Sequence, residues 1–359
     1  MRVNNWLALG FVVSQSCGPN VGPPVKPSPK PSPSPTSTPA AAITLLSVRH
    51  RTTDGSFTNE FIDAKGKRVW LLGYGGVCCG AGSGPNEVPS NGWPWISEPY
   101  LRELVAHGGN FVHVRVGPNS KELEPRPDMR PYLDGPDGKP DMSKWNPVFF
   151  ANLNKLIKLA ASLGVYVEVD VLDGWVFKDP KLSAFPAPFN TVDVMRRAPA
   201  PVHQRFINKV VHEVGANVNV LWQMSNESGV PMETVNGVQQ PIVNLAWDLG
   251  IADAIRIQED LDHYPYHLRS TNAGLKKVDN HGDIDYVNTH QCSAPEQPKY
   301  TGKPITVNEC NGVGYENFRS QLALAQQRGT YYHLWVGDMS EADRLKSLDL
   351  IAEYRKTHQ

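Results

Sequence analysis

Two short stretches carry the residues able to do acid–base and nucleophilic chemistry. Val218-Asn219-Val220-Leu221-Trp222-Gln223-Met224-Ser225-Asn226-Glu227 is a largely apolar run that stops at an amide and a carboxylate. Pro304-Ile305-Thr306-Val307-Asn308-Glu309 repeats that design. Each reads as a strand buried on both faces and closed by a glutamate. In sheets flanked by helices, the carboxyl ends of strands are where ligands bind. Glu227 and Glu309 are therefore the candidate catalytic pair, one carboxyl to give and take a proton and the other to attack an electrophilic carbon.

The rest of the chain has to bring those two strand ends together. Phe57–Asp63 and Arg68–Leu72 flank Ala64-Lys65-Gly66-Lys67, which suits a hairpin running into a first core strand. A helix over Glu98–Ala106 stops at Gly108-Gly109, and Phe111–Val116 follows as the second strand. Trp145, Phe149, Leu153, Leu156 and Ala160 recur at helical spacing before Leu163-Gly164, and Val165–Val171 is the third strand. A helix with Phe206, Ile207, Val210 and Val214 leads into the Glu227 strand, and one with Val243, Trp247, Ala254 and Ile255 leaves it. Tyr266–Ser270 and Asp285–His290 read as strands five and six, the Glu309 run as seven, and Tyr331–Val336 as eight. Helices carrying Phe318, Leu322 and Ala325, then Ala342–Tyr354, complete the alternation.

Eight strands alternating with helices predict a (β/α)8 TIM barrel over residues 43–359. An open doubly wound sheet also alternates, but no Gly-rich phosphate loop follows any of these strands. The faces agree with a barrel. The valines of Phe111–Val116 and Val165–Val171 share one face, to be packed under helices, while His113, Arg115, Glu168 and Asp170 share the inner one. Charges inside a barrel must be paired, so Arg115 is expected to pair with Glu168 or Asp170. Strands four and seven sit nearly opposite in such a barrel, which points Glu227 and Glu309 at each other across a narrow mouth. Two carboxyls about 5 Å apart suit retaining glycoside hydrolysis.

The chain resembles the clan A glycoside hydrolases, closest in layout to the cellulase- and mannanase-like barrels of family five. The matching stretches are Asp63–Val69, Val114-Arg115-Val116, Ser225-Asn226-Glu227, His290, Val307-Asn308-Glu309 and Trp335, spread over most of residues 55–340. The resemblance implies Glu227 as acid/base and Glu309 as nucleophile. It also implies Asn226 on the sugar 2-hydroxyl, Arg115 near the nucleophile, His290 near the site and Trp335 stacked on the sugar. Two departures stand out. The histidine usual after strand three is replaced by Asp170-Val171-Leu172-Asp173, making Asp173 and Trp175 its candidate substitutes, and the His-x-Tyr after strand six is His290-Gln291-Cys292.

Composition narrows the partners. With 359 residues, 40% hydrophobic, and a net charge of -1, the chain has ample material for one core and no basic footprint for nucleic acid. Residues 1–17 pair Arg2 with the apolar run Trp6–Val13 and end at Cys17, which reads as a secretory or lipoprotein signal. Residues 18–42 are rich in Pro, Ser and Thr and read as an extended tether. Export to the cell exterior, surface or periplasm is thus expected, with membrane attachment only through a lipidated Cys17. Cys78, Cys79, Cys292 and Cys310 form no C-x-x-C pattern, so no metal is expected; Cys292 and Cys310 would end neighbouring strands as a disulfide or as free thiols. Trp93 and Trp95 suit sugar stacking or packing on their own domain alike, and Trp145, Trp222 and Trp247 read as core. The expectation is a monomeric, cofactor-free enzyme acting on a β-linked poly- or oligosaccharide. The non-enzyme alternative is a carbohydrate-binding barrel or adhesin on a stalk, against which the retention of both glutamates counts.

Overall fold

The computed structural model describes residues 43–53, 56–75, 98–117, 119–122, 124, 126–229, 232–272, 281–289, 303–307, 315–328, 331–335 and 341–357. The expected signal (1–17), the tether (18–42), Trp93, Trp95 and the four cysteines lie outside these residues.

The described residues open with an antiparallel hairpin, β1 (Ser47–Thr53) and β2 (Ser56–Ile62). The expected hairpin arm at Arg68–Leu72 is reduced to one bridge, Ile62 to Arg68, because Leu72 already begins the barrel. The barrel strands are β3 (Leu72–Gly75), β4 (Phe111–Arg115), β7 (Tyr166–Asp173), β8 (Val220–Asn226), β11 (Arg269–Thr271), β12 (Tyr286–Thr289), β13 (Ile305–Val307) and β14 (Tyr331–Trp335). Among the described residues these eight form one parallel sheet in the order β3-β14-β13-β12-β11-β8-β7-β4. The Asn110 N–H, just before β4, donates to the Leu72 carbonyl at 2.9 Å and brings the two ends of that order together. The result is the (β/α)8 barrel.

Helices α1 (Glu98–Ala106), α2 (Pro147–Ser162), α3 (Pro201–Val214), α4 (Leu245–Leu261), α5 (Tyr315–Arg328) and α6 (Glu341–Thr357) alternate with the strands. Their ends follow local chemistry. Asn146 accepts the Val148 N–H at 3.1 Å ahead of Pro147, a cap that removes two of the helix's unpaired donors. Beyond α2, Gly164 takes a φ of 76°, the left-handed value that ends a helix cheaply. Trp145, expected in that helix, instead closes β6 (Pro140–Trp145), which pairs with β5 (Tyr132–Asp134); its ring stacks on Tyr132 at 4.7 Å.

The alternation along the barrel strands holds. Val112, Val114, Val167 and Val169 are fully buried on the outer face, while the inner face pairs His113 with Glu168 and Arg115 with Asp170 in register. Gln223 extends the row beside Asp170. Alternate side chains of neighbouring parallel strands thus stack into polar layers that fill the barrel.

Candidate active site

Strand β8 is buried along its whole length, and Glu227 follows it directly. Glu227 has a φ of 48°. The left-handed region crowds an L side chain against the backbone at a cost of about 1–2 kcal/mol per residue, and a bulky side chain adopts it rarely, at turns or under strain. This turn lifts the carboxylate out of the buried strand to 19% exposure at the barrel's carboxyl end. The Lys178 ammonium, from the short turn Gly174–Lys178 after β7, lies 4.0 Å from Glu227 Oε2.

Beneath Glu227 runs a buried polar network. Arg115 Nη1 lies 3.4 Å from Asp173 Oδ2, and Asn226 Nδ2 donates to Asp173 Oδ1 at 3.4 Å. Asn226 Oδ1 accepts from Gln223 Nε2 at 2.8 Å, and its backbone N–H donates to Asp170 Oδ1 at 3.1 Å. Asn288 Nδ2 reaches Gln223 Oε1 at 3.1 Å and Glu168 Oε1 at 2.7 Å, and Tyr286 donates its hydroxyl to the same Glu168 oxygen at 2.7 Å. Burial, reinforced by Glu168, holds the Tyr286 phenol well above its ordinary pKa, so it stays a donor. Ion pairs and amides cross the barrel from β12 to β4, as buried charge requires.

The structure brings Arg115, Asp173, Asn226 and Glu227 together. Arg115 was expected to pair with Glu168 or Asp170. Its described ion pair is with Asp173, because β7 runs on past Asp170 and a long guanidinium reaches the higher carboxylate. Trp175 lies in the turn after β7, and Trp335 is the last residue of β14. His290 and Glu309 lie outside the described residues; in sequence Glu309 comes two residues after the end of β13. Two strands, β11 and β12, separate β8 from β13 in the sheet. Sequence reading missed Lys178, Gly174, Gln223 and Asn288. The inward parity of Gln223 was there to be read, but nothing in the sequence places Lys178 beside Glu227. Among the described residues no cluster of His, Cys, Asp and Glu is arranged to hold a metal ion, and no helix is long and apolar enough to cross a membrane.

No known family matches the sequence, and no curated protein matches it either. Solved structures do match in fold. A β-1,4-D-mannanase from Cryptopygus antarcticus superposes with a TM-score of 0.55 at 12% identity, over 86% of this chain and 94% of that one. The fold is the barrel of solved glycoside hydrolases, β-mannanases among them. The β-mannanase of the blue mussel Mytilus edulis shares this barrel with a TM-score of 0.53 at 14% identity, over 87% of this chain and 97% of its own. A glycoside hydrolase described as putative, from Bacteroides vulgatus, gives 0.56 at 15% identity over 84% of this chain. This chain spans only 56% of that protein's length.

Proposed function

We propose that this barrel is a retaining glycoside hydrolase that cleaves a β-linked poly- or oligosaccharide, with Glu227 as acid/base and Glu309 as nucleophile. The observation that carries the reading is Glu227 itself. It is a partly exposed carboxylate at the carboxyl end of a barrel strand, in a costly backbone conformation, above a buried network that includes Arg115 and Asp173. That barrel end is where TIM-barrel enzymes place catalysis. In the sequence Glu309 comes two residues after β13, the strand three positions round the sheet from β8, and it is the carboxyl we assign as partner. In the reaction Glu227 protonates the departing glycosidic oxygen while Glu309 attacks the anomeric carbon; water activated by Glu227 then hydrolyses the glycosyl-enzyme. We assign Arg115 to supply positive charge to the nucleophile, and Trp335, Trp175 and His290 to sugar binding, on the family resemblance of the sequence. Mannan-type chains come first among substrates to try, since mannanases share the fold. The reading of residues 1–17 as an export signal and 18–42 as a tether supports activity outside the cytoplasm, and a monomer without cofactor completes the proposal.

The test is to incubate the full chain with β-1,4-mannan, cellulose, xylan and β-glucan, follow reducing ends, and read the product anomer by NMR. Retention is expected. Glu309→Ala should lose all turnover, with azide restoring a product of inverted configuration. Glu227→Ala should still be glycosylated by a substrate whose leaving group needs no proton, and azide should then give retention. Reversed stereochemical outcomes swap the roles. Losses below about a hundredfold in both variants would remove the pair from catalysis.

A further inference from the structure

The backbone of Glu227 is held from two sides by residues that the acid/base reading does not use. One jaw is Gly174. A Cβ added there would sit 2.8 Å from Ser228 Cα, 2.9 Å from the Asn226 carbonyl oxygen and 3.0 Å from Ser228 N. All three are backbone atoms of the residues flanking Glu227, so the chain on either side of the turn lies flush against a glycine that has no side chain to push it away. Asp170, from the same strand, adds its hydrogen bond to the Asn226 N–H at 3.1 Å.

The other jaw is the first turn of α4. Trp247 Nε1 donates to Ser225 Oγ at 3.2 Å, and Ser228 Oγ donates to Asp248 Oδ1 at 3.5 Å. Asp248 Oδ1 also accepts the Thr271 hydroxyl at 3.2 Å, at the end of β11. Trp247, Asp248, Ser225 and Ser228 are all fully buried. The jaws are joined, because the Trp247 ring packs edge-on against Phe177 at 5.7 Å, three residues from Gly174 in the same turn. Helix α4 is itself fixed at this end by Asn244, which accepts the Ala246 N–H at 3.0 Å.

A left-handed glutamate persists only where its surroundings over-determine it, and such outliers cluster at functional sites. We infer that Gly174, together with Trp247 and Asp248, is a clamp that holds Glu227 in its left-handed conformation, and that these are positioning residues for proton transfer to the leaving group. The inference rests on Glu227 being the acid/base. A proton donor acts over hydrogen-bond distance, and a displacement of about 1 Å can cost about a hundredfold.

The test compares two substrates, a polysaccharide whose leaving group needs a proton and an activated aryl glycoside whose leaving group does not. Gly174→Ala should lose at least about tenfold in kcat on the polysaccharide with KM little changed, while the first-turnover burst on the aryl glycoside stays within about threefold. Asp248→Ala should show the same split, and Asp248→Asn should restore it, since an amide oxygen still accepts both hydroxyls. Thermal melts accompany each variant. If Gly174→Ala does not fold, the Asp248 pair decides. Equal losses on both substrates, or no loss on either, would overturn the clamp. Glu227→Ala serves as reference: if it shows the split and the clamp variants do not, the clamp fails alone. If Glu227→Ala itself lacks the split, the acid/base reading falls and takes the clamp with it.

Discussion

Asp173 Oδ2 lies 3.4 Å from Arg115 Nη1, so the carboxylate ending β7 covers the guanidinium that rises from the end of β4. Both side chains are nearly out of water, at 14% and 5% exposure. Removing one partner of a buried pair costs about 3–5 kcal/mol. Residual exposure of Arg115 reduces that here, and Asp173→Asn is expected to destabilise by about 2 kcal/mol. Urea unfolding measures it, and a change under about 0.5 kcal/mol would show that the pair is not a structural element of the site.

The Lys178–Glu227 contact is of another kind. At 4.0 Å, with exposures of 36% and 19%, it resembles a surface pair worth about 1 kcal/mol or less. Lys178→Met should therefore leave the fold intact. Its effect belongs in the pH–rate profile. A nearby ammonium favours the ionised carboxylate, so under the proposal that Glu227 is the acid/base, removing the ammonium should move the alkaline limb of kcat/KM upward. Added salt should move the parent enzyme in the same direction by screening. A limb that stays fixed in both experiments would mean the two groups do not communicate.

Much of this arrangement was legible in the sequence where one-dimensional patterns carry it. The valine alternation of Phe111–Val116 and Val165–Val171 predicted which side chains enter the barrel, and His113, Glu168 and Asp170 are all fully buried there. Glu227 was placed at a strand end because an apolar run stops at it. Contacts made by folding were not legible. Lys178 reaches Glu227 only because the turn after β7 bends back over β8. Gly174 looks like any loop glycine until Ser228 Cα is set against it. One local signal was missed outright. Asn236-Gly237, with φ of 52° and 79°, turns the hairpin β9 (Met232–Val235) to β10 (Val238–Pro241), and Asn-Gly is the strongest short hairpin signal there is.

Glu168 tests the barrel interior. Its Oε1 accepts from both Tyr286 and Asn288 at 2.7 Å, and the residue is fully buried. Glu168→Gln keeps an accepting oxygen in place and should cost about 1 kcal/mol, whereas Glu168→Ala removes the acceptor of the buried Tyr286 hydroxyl, takes one of the acceptors of Asn288 Nδ2 and opens a cavity, and should cost about 3 kcal/mol or more. Denaturant unfolding separates the two. Equal costs would mean that the network's hydrogen bonds do not decide its stability.

His203 makes stability depend on pH in a direction that can be worked out. The ring is fully buried, with edge-on neighbours Phe185 at 4.6 Å and Trp247 at 5.3 Å. Its Nδ1 accepts the Ala200 N–H at 3.2 Å and its Nε2 lies 3.0 Å from the Phe189 carbonyl oxygen, so the neutral Nε2–H form satisfies both. Burial lowers the ring's pKa below 6.5, a shift that the Phe189 carbonyl only partly offsets. Between the folded and unfolded values the unfolded chain therefore binds more protons, and stability rises with pH there. The contribution of the neutral ring is complete above about pH 6.5 and is lost as pH falls below it, with a slope of up to about 1.4 kcal/mol per unit. His203→Gln can still accept from Ala200 and donate to Phe189 but cannot titrate. It should be less stable than the parent at about pH 7.5, by about 1–2 kcal/mol, and show a flatter dependence between about pH 5 and 6.5. Urea unfolding of both proteins across that range reads the difference directly. Parallel curves would place the titrating group elsewhere, and a parent that gains stability on acidification would reverse the sign of the argument.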